Sequence, residues 1–338
     1  MKRRDLLKYV SAGTLGLGLN VHAMAGQGAG KVYGGVKKGS FAIDGNRVRF
    51  FHPGIREKFS MLMLADTHLF KDDQRGEPYR QYSGRMAKAY NQTKHFQTGE
   101  ATDPETSFIT TLNIAAEQNA AFVALVGDIF SFPSEAAVDW VQAQLKSAGL
   151  PYEYTAGNHD WHYEGMEGSS TNLRRTWIEN RLKPMYRSAD PMMSYYEVND
   201  TCFITIDNST YEILPEQLDF YNKKIRNGKP TILMVHIPLF APGRSVGFGC
   251  GNPDWGAKTD KNFELERRQR WPEKGHTKTT FDFYKAVFNS ENLMGILAGH
   301  IHKPSLDVIN GIPQIVTDAN AVGAYLQVEL IPAEKTQI

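Results

Sequence analysis

Two rhythms alternate along the chain: short unbroken apolar runs, and longer stretches in which apolar positions recur at helical spacing. Residues 59–65, 121–126, 152–156, 231–235 and 294–298 read as buried strands. Helices are expected at 104–119, 133–148, 215–226 and 281–288. Asp103 is placed to cap the first of these, with Pro104 in its opening turn. Gly149 closes the second, and the third stops near Gly228. Residues 194–198 and 202–206 look like an antiparallel pair around Asn199-Asp200. Further short strands are expected at 306–309, 314–317 and 325–330. Residues 26–45, rich in Gly, Lys and Ser, read as an irregular lead-in. No internal repeat or low-complexity tract interrupts the pattern. Strands alternating with helices imply βαβ units and a largely parallel sheet, and the extra hairpins imply a second sheet packed on the first. The expected class is therefore α/β with α+β character.

The polar residues that follow these runs carry the chemistry. Five short motifs stand in order, each after an apolar strand: Asp66-Thr67-His68, Gly127-Asp128, Gly157-Asn158-His159-Asp160, Val235-His236 and Gly299-His300-Ile301-His302. In open α/β sheets ligands bind at the carboxyl ends of the strands. A lone Gly-Asp is noise, and a lone His at a strand end is usually structural. Five such motifs in succession are a different matter. Imidazole nitrogen and carboxylate oxygen together suit Zn, Fe or Mn. A carboxylate shared between two cations about 3.5–4 Å apart offsets their repulsion, and two cations acting on one water make hydroxide available near neutral pH.

The five motifs resemble the full signature of the calcineurin-like metallophosphoesterases, spanning Asp66 to His302 with no ligand position substituted. The resemblance implies two packed mixed β-sheets flanked by helices, with two divalent or transition-metal ions (Mn, Fe or Zn) at their edge. It implies that Asp66, His68, Asp128 and His302 hold one ion. Asp128, Asn158, His236 and His300 would hold the other, with Asp128 bridging. The activity implied is hydrolysis of a phosphate ester by a metal-bridging hydroxide. A diesterase acting on a cyclic nucleotide or lipid head group is the alternative, and a non-catalytic binding module on the same fold is the remote one. By the same resemblance His159 follows a ligand and is not one itself, and its imidazole can protonate the leaving alkoxide. Asp160 is expected to hydrogen-bond that imidazole and fix its tautomer.

Composition narrows the setting. The chain has 338 residues, of which 41% are hydrophobic, enough for a substantial core. Residues 1–25 carry Lys2, Arg3, Arg4 and Lys8 against Asp5, a local +3 against the chain's +1, so the remainder carries −2. Nothing here suggests nucleic acid as a partner; the expected substrate is a small-molecule or lipid phosphate ester. Lys2-Arg3-Arg4-Asp5-Leu6-Leu7 resembles a twin-arginine export motif, and Ala23-Met24-Ala25 fits small-x-small cleavage before Gly26. The chain is accordingly expected to use the twin-arginine export machinery and to work in the periplasm or outside the cell. Residues 26–338 would form a single domain with insertions around 69–103 and 240–280. Arg75, Tyr79, Arg80, Tyr82, Arg85, Tyr90 and His95 in the first insertion, and Arg244, Asp254, Trp255, Trp271 and His276 in the second, could wall the pocket. Export permits disulfides, but Cys202 lies in a strand-like run, where a thiol usually serves as a small hydrophobe.

Overall fold

The computed structural model describes residues 39–89, 94–259 and 272–333. Residues 1–25, Tyr90 and Trp271, which figure in the sequence reading, lie outside the described residues. Among the described residues, twelve strands form two six-stranded sheets. The first has the order β1-β2-β12-β3-β4-β5, with β1 Ser40–Asp44, β2 Arg47–His52, β3 Phe59–Leu64, β4 Val123–Val126, β5 Tyr152–Thr155 and β12 Leu326–Pro332. The second has the order β10-β11-β9-β8-β7-β6, with β6 Met193–Val198, β7 Thr201–Ile206, β8 Thr231–Met234, β9 Leu293–Ala298, β10 Ser305–Ile309 and β11 Ile312–Val316. β3, β4 and β5 run parallel, as do β7, β8 and β9.

Strand periodicity explains the layering. Along β3, Met61 and Met63 point into an apolar layer that they share with Phe203, Ile232 and Met234 of the other sheet. Leu62 and Leu64 point the opposite way and pack with Phe108, Leu112, Val138 and Val141. Those four belong to α2 (Pro104–Glu117) and α3 (Glu135–Ala148). The second sheet is its counterpart: Ile204, Ile206 and Leu233 pack with Tyr221 and Phe283. Tyr221 lies on α5 (Pro215–Ile225) and Phe283 on α6 (Lys278–Phe288). Central strands are thus buried on both faces, which is why they appear in sequence as unbroken apolar runs. Each large apolar side chain so buried contributes roughly 1.5–3 kcal/mol.

The helix signals act as expected. The Asp103 carboxylate accepts the Thr106 amide at 2.9 Å. Gly149 closes α3 at φ 65°, a left-handed value that costs glycine nothing. Three features differ from expectation. Residues 40–44 of the expected lead-in form β1, which pairs with β2 through a tight turn at Gly45-Asn46. β1 is an edge strand, largely exposed, so it lacks an apolar run. The first insertion contains α1 (Arg80–Ala89), and α4 (Ser170–Trp177) follows the third motif. Both are polar helices: Met86 anchors α1, while α4 buries Ser170, Leu173, Arg174 and Trp177 along its two turns. Cys202 and Cys250 are both buried free thiols. No described helix is long and apolar enough to cross a membrane.

Candidate metal centre

The parallel ladder of β3 and β4 continues past the last strand residues. The Asp66 amide donates to Gly127 O at 3.0 Å and the His68 amide to Asp128 O at 2.9 Å. In the second sheet the Gly299 amide donates to His236 O at 3.0 Å. The His300 amide then donates to Asp66 Oδ2 at 2.8 Å, joining the strand ends of one sheet to those of the other. Glycine permits this approach. A Cβ on Gly127, which sits at φ +80°, would lie 2.4 Å from His236 Nδ1. One on Gly157 would lie 2.2 Å from Asp128 Oδ1.

Asp66, His68, Asp128, His300 and His302 all adopt left-handed backbone, with φ of 58°, 53°, 52°, 75° and 51°. Such conformations cost of order 1–3 kcal/mol each and persist only where surrounding contacts over-determine them. Here they turn the side chains inward at the strand ends, and two groups form. Asp66, His68 and His302 bring one ligand atom each within 4.8 Å of one another, and so do Asp128, His236 and His300. His302 Nε2 lies 3.2 Å from Asp66 Oδ1. His68 Nε2 lies 2.9 Å from His302 Nε2, and His236 Nε2 lies 3.1 Å from Asp128 Oδ2.

This donor set fits a pair of cations. Asn158 Oδ1 is buried and makes no hydrogen bond. An amide oxygen in that position costs free energy unless something accepts its lone pairs. His236 Nδ1 is 2.9 Å from Val126 O, so the proton belongs on Nδ1 and Nε2 faces the site, the outer partner that metal-ligating imidazoles usually have.

The electrostatics are those of a crowded buried cluster. Burial, followed by neighbouring imidazoles, holds His68 and His300 well below the ordinary histidine range. They therefore remain neutral, as ligands must be. Burial also disfavours the His236 cation, but the charge and hydrogen bond of Asp128 outweigh it and push His236 up to about 10, so a cation that takes Nε2 has to displace a proton there. Burial opposes the Asp128 carboxylate, yet His236 and His159 hold it well below its usual range.

His159 stands beside the first group. Its half-buried ring lies edge-on to His68, with centroids 5.1 Å apart. Its backbone amide donates to Asp128 Oδ1 at 2.7 Å. Asp160 does not take the place expected for it beside that imidazole. Its Oδ2 accepts the amides of Gly157 and Asp128 at 2.7 and 2.9 Å, and its Oδ1 accepts the amide of Phe130 at 2.8 Å. The carboxylate is fully buried and turned back onto the two loops, because three converging backbone donors offer more than one adjacent ring. Burial first, then the charge of Asp128, pushes its pKa up to about 8.

A loop with no recognisable motif braces the site. After β7, Asp207 pairs with Arg174 of α4 at 3.2 Å, both buried. Asn208 donates to Ile237 O at 2.6 Å and accepts the Ile237 amide at 3.0 Å, gripping the residue after His236. Ser209 Oγ accepts Trp161 Nε1–H at 2.8 Å, next to Asp160. Tyr211 Oη lies 2.8 Å from His300 Nε2. Only Asp207, as the end of a strand, gave any sign of this in the sequence.

The described arginines of the two insertions are already engaged. Arg75 binds Asp73, Glu135 and Asp139. Arg80 pairs with Glu77, Arg85 donates to Glu164 O, and Arg244 binds Asp307 and Ser305. Tyr79 stacks on Tyr163. His276 stacks on Trp255 and hydrogen-bonds Glu212. These side chains build the shell of the fold.

Residues 59–304 match the family model described as calcineurin-like phosphoesterase. Among solved structures, a dimetal phosphatase from Danio rerio is similar with a TM-score of 0.51 at 10% identity, covering 81% of this chain and 93% of that one. Purple acid phosphatase PPD1 from yellow lupin, Lupinus luteus, gives 0.45 at 14% identity, covering 82% of this chain and 47% of that one. No curated protein matches the sequence.

Proposed function

This chain belongs to the calcineurin-like phosphoesterase family, whose members hydrolyse phosphoric ester bonds, and on that premise we propose that it is an exported two-metal hydrolase of a small-molecule or lipid phosphate ester. The observation that carries the reading is the meeting of Asp66, His68 and His302 with Asp128, His236 and His300 at one edge of the two sheets, with the orphaned Asn158 oxygen. Asp66, His68 and His302 would hold one cation. Asn158, His236 and His300 would hold the other, and Asp128 would be shared. When bound, such a pair supplies a nucleophile at neutral pH and neutralises charge on the phosphoryl oxygens.

The protein's own groups do the rest. Asp160 holds the Asp128 loop and the Asn158 loop in one register through its three amide contacts. The His159 amide orients Asp128 by donating to Oδ1. The His159 imidazole, at the half-buried rim beside His68, holds the proton that the leaving oxygen requires. Export rests on the paired Arg3-Arg4 and the apolar stretch that follows.

A screen of purified protein reconstituted with Mn, Fe or Zn against p-nitrophenyl phosphate and bis-p-nitrophenyl phosphate tests the activity and separates monoester from diester preference. Metal-dependent turnover of either supports the reading; turnover of neither at any loading opposes it. Replacing Arg3 and Arg4 by Lys and fractionating cells tests export, which should fail.

A further inference from the structure

We infer that Tyr211 is a positioning residue for the second cation site: its hydroxyl accepts the Nε2 proton of His300 and so fixes the imidazole in the tautomer whose Nδ1 is available to a cation. The inference rests on the two-cation reading above and specifies how one of its ligands is presented. Tyr211 Oη lies 2.8 Å from His300 Nε2. A nitrogen engaged at hydrogen-bond distance by a buried hydroxyl is not the one that faces a cation, so Nδ1 remains for that role. A ligating nitrogen must be unprotonated, and the proton therefore sits on Nε2, where the phenol oxygen accepts it.

The backbone of Tyr211 supports the same conclusion independently. It adopts φ 64°, in the left-handed region that a bulky residue rarely enters. The conformation is clamped from both sides. The Tyr211 amide donates to Asn208 O at 2.8 Å, and the Cys250 thiol donates to Tyr211 O at 3.3 Å. The side chain is only 3% exposed. Its ring meets that of His300 edge-on, with centroids 5.5 Å apart, and His300 in turn meets His236 edge-on at 5.2 Å. The strain is thus spent on placing one hydroxyl against one ligand. Further contacts of the Asp207–Tyr211 loop grip Arg174, Ile237 and Trp161, so the hydroxyl is held by a brace that reaches several motifs at once.

The test uses zinc as the probe, because it is diamagnetic. Histidine ring nitrogen spectra of the zinc-loaded full chain should show His300 with a metal-shifted Nδ1 and a protonated Nε2. Tyr211→Phe keeps the ring and the backbone demands but removes the acceptor. It should bind the second equivalent of zinc about 10–100-fold more weakly, as losses of such outer partners typically do, with the first equivalent unchanged. A metal-bearing Nε2, or wild-type affinity for both equivalents in Tyr211→Phe, overturns the assignment. Thermal unfolding of the variant serves as the folding control; should Tyr211→Phe not fold, the wild-type spectrum decides alone. Uptake of a single equivalent by the wild-type chain would instead refute the two-cation reading, an outcome distinct from any failure of Tyr211.

Discussion

Asp160 Oδ2 accepts the backbone amide of Asp128 at 2.9 Å, so the residue after His159 sets the loop that carries the shared carboxylate. The same carboxylate takes up the amides of Gly157 and Phe130. Asp160→Asn keeps the size of the side chain but turns an NH2 toward one of these donors. A buried donor left unsatisfied costs about 1–3 kcal/mol. The expected outcome is a lower unfolding midpoint together with weaker metal retention. Thermal unfolding and elemental analysis of the variant check it; wild-type values in both would show that the carboxylate does not brace the loops.

In the proposed reaction His159 has a different task from its neighbour Asn158. Asn158→Ala removes the orphaned oxygen and should weaken binding of the second cation. His159→Ala removes no ligand and should leave metal content intact. General acid catalysis is typically worth about 10²–10⁴-fold, and its loss should be large for an alkyl phosphate and smaller for p-nitrophenyl phosphate, whose leaving group needs no proton. The kcat of His159→Ala on both substrates, with metal content measured alongside, decides the matter. Equal losses would reassign the imidazole to substrate positioning.

Gly157→Ala places a methyl group where Asp128 Oδ1 already lies 2.2 Å away. Overpacking at such a contact costs typically about 1–3 kcal/mol. Here the displaced atom belongs to the proposed shared ligand, so metal stoichiometry should fall further than stability does. Metal analysis and an unfolding curve on the same sample measure the two effects; unaltered stoichiometry would mean that the loops can separate without harm.

Away from the metal centre, Glu153 on β5 tests the electrostatics of the fold. Burial, opposed by Arg187, pushes its carboxyl up to about 7; Tyr196 is the other titratable group it faces. The folded protein therefore binds this proton more tightly than the unfolded chain. No penalty exists below the unfolded value of about 4.3, and stability is lost as pH rises through about 7. Glu153→Gln should match the wild type near pH 3 and unfold about 1–2 °C higher at pH 8, the shift that ~1 kcal/mol produces in a chain of more than 300 residues. A constant difference between the two variants across that range would contradict the assignment.

Much of the candidate site was legible because the residues that could hold the cations follow buried strands. Asp66, Asp128, His236 and His300 each come directly or within two residues after an unbroken apolar run, and the run itself announces the strand. What the sequence could not show is conformation. Nothing in Asp66 or His302 signals a left-handed backbone, although it is that turn which aims the side chains. Asp160 was misread for a related reason: adjacency to His159 suggested a partner, whereas the turn presents three amides to the carboxylate. Tyr211 and Asn208 carry no motif, since they act through contacts with His300 and Ile237 that exist only once β7, β8 and β9 lie side by side in the second sheet. Helix α1 and strand β1 escaped notice because they are largely exposed, and α4 because two of its four buried residues, Ser170 and Arg174, are polar, so none leaves a clear apolar periodicity.

The central claim is a site for two cations that hydrolyses phosphate esters. Its most direct test is a titration of the chelator-treated protein with Mn, Fe or Zn, following hydrolysis of p-nitrophenyl phosphate and its bis ester. Activity should rise from baseline and reach a plateau at about two equivalents per chain, one for each group of ligands. Binding that saturates at one equivalent or below, or hydrolysis of neither ester at saturating metal, would contradict it.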